Sequence, residues 1–131
     1  GGYGVKALVS NGVNVAVITG RRSAIVENRM SALNVAHIIQ GEENKADALS
    51  TLIENLGLSA DEVAAVGDDM PDTGMYKHVA IKIAVADAHP FVAKQANWIT
   101  TLPGGFGAVR EISDTILHAK GVANEIFGAS V

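Results

Sequence analysis

The chain has 131 residues, 48% apolar and 18% charged, with ten Lys and Arg against fourteen Asp and Glu. A chain of this length buries about two-thirds of its unfolded surface, which is enough for one core and not two. The net charge of -4 gives no electrostatic reason for a nucleic-acid partner, and the absence of Cys removes disulfides, thiolate metal sites and a cysteine nucleophile together.

No stretch approaches the roughly 18 apolar residues of a membrane span. The sequence opens Gly1-Gly2-Tyr3-Gly4 without a Met and shows no signal peptide, so its start reads as processed or engineered. No repeat or Pro/Ser-rich linker divides it, so one domain over 1–131 is expected.

In chain order, the β-branched run 13–19 predicts a first strand that stops at Gly20. Residues 22–33 carry Ile25, Val26, Met30 and Leu33 near one helical face. A short strand over 36–39 follows, then a helix over 44–56, where Ala48, Leu49, Leu52, Ile53 and Leu56 recur at helical spacing before a Gly57 C-cap. Ser59 to Glu62 has capping-box spacing and leads into a strand over 63–66. A short helix is expected after Pro71, a strand over 81–86, a helix opened by Pro90, and a last short strand over 98–100. A long helix over 107–120 places Val109, Ile112, Ile116 and Leu117 on its buried stripe, and the tail over 121–131 reads as loosely ordered. Strands alternating with helices predict an α/β fold with a Rossmann-like parallel sheet and helices on both faces. Such sheets bind ligands at the carboxyl ends of their strands.

After the strand 63–66 come Gly67-Asp68-Asp69-Met70-Pro71-Asp72. Three carboxylates in so short a loop repel one another unless a hard cation such as Mg²⁺ takes oxygens from them. One Asp would suffice to cap the helix before Pro71. The first strand delivers Thr19-Gly20-Arg21-Arg22 to the same edge, where a hydroxyl and free amides suit an anion, although a plain strand end with a turn explains them equally well. Lys45 opens a helix, a place the helix dipole disfavours for a cation, so it invites an anionic neighbour; a lone exposed Lys is the simpler account. Gly104-Gly105-Phe106-Gly107 is either an amide-lined turn or only a turn, and Asp87 closes another strand. The four His share no metal-ligand spacing.

Read in order, Ile18-Thr19-Gly20-Arg21, Gly41 to Lys45, and Gly67 to Asp72 resemble the second, third and fourth motifs of the haloacid dehalogenase-like phosphohydrolases. Gly2 to Lys6, Val85 to Pro90 and Gly104 to Glu111 narrow the resemblance to the bacterial branch that dephosphorylates 3-deoxy-D-manno-octulosonate 8-phosphate for lipopolysaccharide synthesis. The resemblance implies a core without a cap domain, a bacterial cytoplasmic enzyme, a homotetramer, a small phosphorylated sugar acid as substrate, and no nucleic-acid or membrane partner. It implies Asp68 and Asp69 as Mg²⁺ ligands, Asp72 as the residue orienting them or Lys45, and Thr19 and Lys45 as catalytic contacts to the phosphoryl group. Gly20, Arg21, Asp87, Gly104, Gly105 and Arg110 become weaker candidates for substrate binding. Arg110 fits equally well as a helix residue paired with Asp114.

The family's first motif, an Asp-x-Asp whose first Asp is the nucleophile, does not occur in these 131 residues. The family has Asp where this chain has Gly1, so the reading is of an N-terminally truncated chain with the first strand missing, inactive alone. Two sheet edges, beside the strand ending at Thr19 and beside the strand ending at Gly67, are then expected without partners. The alternatives are a non-catalytic domain binding phosphate or Mg²⁺, related to the C-terminal domain of the sialic-acid synthetase, and, more weakly, a receiver-like regulatory domain.

Overall fold

The computed structural model describes residues 2–121. The elements run α1 (Gly2–Ser10), β1 (Ala16–Ile18), α2 (Ala24–Ala32), β2 (His37–Ile39), α3 (Lys45–Leu56), β3 (Ala64–Gly67), β4 (Ile81–Ala84), α4 (Pro90–Gln95), β5 (Trp98–Ile99) and α5 (Ala108–Ala119). A 3₁₀ turn over Ala60–Glu62 precedes β3, and a 3₁₀ segment over Met70–His78 follows it. Apart from Gly121, the expected loose tail over 121–131 lies outside the described residues.

The strands form two parallel ladders. In one, β3, β4 and β5 pair in that order, with Val66 opposite Ile83 and Ala84 opposite Ile99. In the other, β1 pairs with β2, with Val17 opposite Ile38. Among the described residues β1 and β3 share no ladder, so each pairs on one side only, at the two edges expected to lack partners. Ile83 and Ala84 are successive, point to opposite sides of β4, and are both fully buried, so this ladder is covered on both faces.

Local chemistry sets the boundaries. Asn44 accepts the Asp47 N–H to open α3, and Gly57, at φ 66, closes it in the left-handed geometry that suits glycine. Ser23 caps α2 by accepting the Val26 N–H. The apolar face expected on α2 is only partly covered: none of its residues is buried, and Ile25 is 79% exposed. The first strand is shorter than expected because Val13 is drawn back to α1, where its N–H donates to the Leu8 carbonyl. Val13 and Val15 pack there against Ala7, Leu8 and Leu117. The helix expected after Pro71 is 3₁₀ in geometry throughout.

Helix α1 is the element the sequence reading did not foresee, since Gly2 and Gly4 weaken helix formation. Packing against α5 supplies the reason for Gly4. A Cβ there would lie 2.8 Å from the Ser113 Cβ, so glycine permits the close approach of the two helices. Among the described residues, no helix is long and apolar enough to cross a membrane.

Candidate active site

The site is assembled from the 3₁₀ segment upward. Gly67 ends β3 without a side chain, and a Cβ there would lie 3.0 Å from both the Asp72 Cβ and the Tyr76 hydroxyl oxygen. The segment can therefore lie directly on the strand. Tyr76 locks it down: its buried hydroxyl donates to the Ile83 carbonyl at 2.5 Å. Burial, followed by the charge of Asp72, pushes that phenol up to about 12.

So anchored, Asp72 is only 6% exposed, and its carboxylate is fully engaged. One oxygen accepts the N–H groups of Asp68 and Asp69 at 3.0 and 3.2 Å; the other accepts Lys45 Nζ at 2.7 Å. Because Asn44 caps α3, Lys45 is its first residue, and Asp72 is the anionic neighbour that its unfavourable place on the helix invited. Asp69 caps the 3₁₀ segment by accepting the Met70 N–H at 2.7 Å. Two of the three acids are thus engaged as caps and anchors, more than the single cap the sequence required.

The pair Asp68 and Asp72 divides its protons unequally. Burial alone would raise the Asp72 carboxyl, but hydrogen bonds from Asp68, Lys45 and the two amides outweigh it and hold Asp72 below the usual carboxylate range. The hydrogen bond with Asp72, then partial burial and the Asp72 charge, push Asp68 above that range, against the lowering effect of its own amide. Among the described residues, no three His, Cys, Asp or Glu side chains converge as a metal-holding group. The physical reason is that Asp72 faces Lys45 and the backbone, leaving the exposed Asp68 and Asp69 at the strand end.

Thr19 follows β1, whose last residue Ile18 packs against the core cluster that holds Leu49 and Ala65. Its N–H donates to the Ile39 carbonyl and its C=O accepts the Glu42 N–H, so it is fixed to the strand-end loop that leads to Lys45. Its hydroxyl oxygen accepts the Arg21 N–H at 3.2 Å, which leaves the hydroxyl hydrogen available to a ligand. Gly20 and Arg21 are exposed beside it.

Farther along the rim, the Asp87 carboxylate accepts the Gly104 N–H at 2.8 Å, so these two candidates bind each other. Their loop reaches the acids through the His89 N–H, which donates to the Asp68 carbonyl at 3.0 Å. Gly105 lies exposed at φ 77. Arg110 is turned away, paired with Asp114 at 2.9 Å and stacked over the Tyr3 ring at 4.6 Å. Lys45, Asp68, Asp69 and Asp72 therefore form one hydrogen-bonded group, Asp87 and Gly104 a second tied to it, and Arg110 belongs to the packing of α1 on α5. Tyr76, Thr100 and Glu111 were not singled out in the sequence. Only the position of Glu111 within the Gly104-to-Glu111 motif signalled it. A hollow of about 560 Å³ lined by Arg22, Glu27 and Gln40 lies elsewhere and includes none of the acids.

Residues 25–104 match the haloacid dehalogenase-like hydrolase family. The chain belongs to that family. Among its relatives, the Escherichia coli K12 3-deoxy-D-manno-octulosonate 8-phosphate phosphatase KdsC is 42% identical over 130 residues, 99% of this chain and 69% of that protein. This haloacid dehalogenase-like hydrolase also superposes, with a TM-score of 0.94 and 36% identity over 99% of this chain and 75% of the other, on the Moraxella catarrhalis 3-deoxy-D-manno-octulosonate 8-phosphate phosphatase crystallised with magnesium ion, phosphate ion and KDO. The cobalt-bound Haemophilus influenzae enzyme gives a TM-score of 0.89 at 34% identity, over 93% of this chain and 71% of that one. The chain thus belongs to a phosphatase of the haloacid dehalogenase-like type.

Proposed function

We propose that the protein is a Mg²⁺-dependent phosphomonoesterase that converts 3-deoxy-D-manno-octulosonate 8-phosphate into 3-deoxy-D-manno-octulosonate and phosphate, in the bacterial cytoplasm, as a homotetramer serving lipopolysaccharide synthesis. The observation that carries this reading is the Lys45–Asp72 pair, which anchors a cation beside two exposed carboxylates at a strand end. The similarity to phosphatases named for that substrate supplies the substrate class.

The donor set fits a small hard cation, because Asp68 and Asp69 offer carboxylate oxygens that Asp72 does not consume. Bound there, Mg²⁺ would supply charge neutralisation to the phosphoryl oxygens. This chain's residues do the positioning. Thr19 donates its hydroxyl hydrogen to one phosphoryl oxygen, and Lys45 holds its ammonium against another while Asp72 fixes its direction. Asp72 also pins the two amides that set where Asp68 and Asp69 begin. These 131 residues hold no Asp-x-Asp, so by themselves they are expected to be inactive, and the nucleophile would have to come from a segment joined to them.

The test is phosphate release from 3-deoxy-D-manno-octulosonate 8-phosphate by the protein that joins such a segment to these residues. Turnover with Mg²⁺, abolished by chelator, is expected, with none from the 131-residue chain. Undiminished turnover in chelator would refute the metal assignment. Phosphate binding with no turnover in either form would favour a non-catalytic binding domain.

A further inference from the structure

The connection between β5 and α5 contains the glycine motif, which the phosphoryl chemistry leaves without a role. It is held from three sides. Thr100, 3% exposed, accepts the Ala86 N–H on its hydroxyl oxygen at 3.0 Å and donates that hydroxyl to the Leu102 carbonyl at 2.7 Å. Glu111, in the first turn of α5, accepts the Thr101 N–H on both carboxylate oxygens, at 3.0 and 2.9 Å, and the Leu102 N–H and Thr101 hydroxyl at 2.9 Å each. Asp87 accepts the Gly104 N–H.

A carboxylate taking donors only from the preceding loop is not a helix cap; it is a clasp. The Thr101 amide first, with Leu102 and the Thr101 hydroxyl, holds the Glu111 carboxyl below its ordinary value, despite some desolvation. Gly107 sits at φ 112, and a Cβ there would lie 2.9 Å from Leu102 Cδ1, so glycine is required where the loop enters α5. At its tip Phe106 is 81% exposed. From the loop the chain of bonds continues through Asp87 to the β4–α4 connection, where the His89 and Val85 N–H groups donate to the Asp68 and Gly67 carbonyls. Helix α5 is thereby tied, bond by bond, to the acidic loop.

We propose that Glu111 is a positioning residue. It clasps the β5–α5 loop so that the Gly104 N–H reaches Asp87, and the β5–α5 loop so placed forms the wall that meets the substrate beyond its phosphate. The clasp stands on geometry alone; the wall rests on the phosphatase reading above.

The experiment compares Glu111→Ala, Glu111→Gln and Asp87→Ala in the active phosphatase, with 3-deoxy-D-manno-octulosonate 8-phosphate and p-nitrophenyl phosphate as substrates and amide exchange of Gly104 followed by NMR. Glu111→Ala is expected to raise KM for the sugar phosphate on the order of tenfold, with kcat and p-nitrophenyl phosphate hydrolysis within about twofold, since misplacement of a binding wall costs recognition and not phosphoryl chemistry. Gly104 exchange should quicken on the order of tenfold, because its amide then opens more often. Glu111→Gln, which retains one acceptor oxygen, should recover part of both effects. Because the clasp and Asp87 act in series, the double variant should add little to either single one. Unchanged Gly104 exchange in Glu111→Ala, or equal losses on both substrates, would overturn the proposal. An unmodified protein that hydrolyses p-nitrophenyl phosphate but not the sugar phosphate would overturn the substrate assignment and the wall with it, while Gly104 exchange would still decide the clasp.

Discussion

Behind β3 and β4 lies a continuous cluster of buried side chains (Leu49, Ala65, Met75, Tyr76, Val79, Ala84 and Val92), whereas α2, beside the other ladder, buries no residue. The acids rise from the first region and Thr19 from the second. A charged group held in a fixed direction needs a rigid support and desolvated partners, which Asp72 and Tyr76 have. A hydroxyl donor at a strand end needs only its backbone ties, which Thr19 has. Lys45 joins the regions: it follows β2 in sequence, yet α3 packs against the 3₁₀ segment and delivers the ammonium to Asp72.

The largest test of this contrast is Lys45→Ala. In the active phosphatase it is expected to slow phosphate release on the order of 10³-fold, by loss of a fixed charge on the phosphoryl group. It should also lower stability to urea by about 3 kcal/mol, because the Asp72 carboxylate is left buried without its cation. Near-normal kinetics would show that the site is misplaced. The next test sets one region against the other. Val92→Ala, at a fully buried position, should cost about 2 kcal/mol, and Ile25→Ala, at an exposed one, should stay within about 0.5 kcal/mol. Equal losses in urea titrations would erase the distinction. Tyr76→Phe is expected to cost about 1 kcal/mol, for the buried hydrogen bond to the Ile83 carbonyl that is lost. The phenol is raised to about 12 in the fold, from about 10 when unfolded, so its contribution is complete below pH about 10 and disappears as the pH rises through about 12. The variant should therefore lack that part of the alkaline fall in stability.

The order of strands and helices from β1 to α5 was legible because apolar period and caps agree locally: Asn44 and Gly57 bracket α3, and Pro90 opens α4. Helix α1 was not legible, because its glycines argue against helix in isolation and the reasons for them lie far along the chain: Gly2 meets Leu33, and Gly4 meets Ser113 on α5, more than a hundred residues away. What signal there was lay in the one-face spacing of Gly4, Ala7 and Leu8, the residues α1 buries. In the site, the grouping of Asp68, Asp69 and Asp72 was plain from spacing, but the division of labour among them was not. Which carboxylate caps, which anchors and which stays exposed depends on the 3₁₀ path of residues 70–78 and on Lys45, 27 positions upstream. Glu111 was hidden for a similar reason: its partners precede its own helix, and sequence pattern speaks for faces rather than for loops.

The unshielded backbone at Gly4 has one further result. Arg110 lies against that glycine and over Tyr3, so the seam between α1 and α5 holds in place a guanidinium that Asp114 pairs on its own helix. Adding a single methyl group at position 4 would wedge the seam and unsettle the arginine with it, linking a small steric change at one end of the chain to the electrostatics at the other.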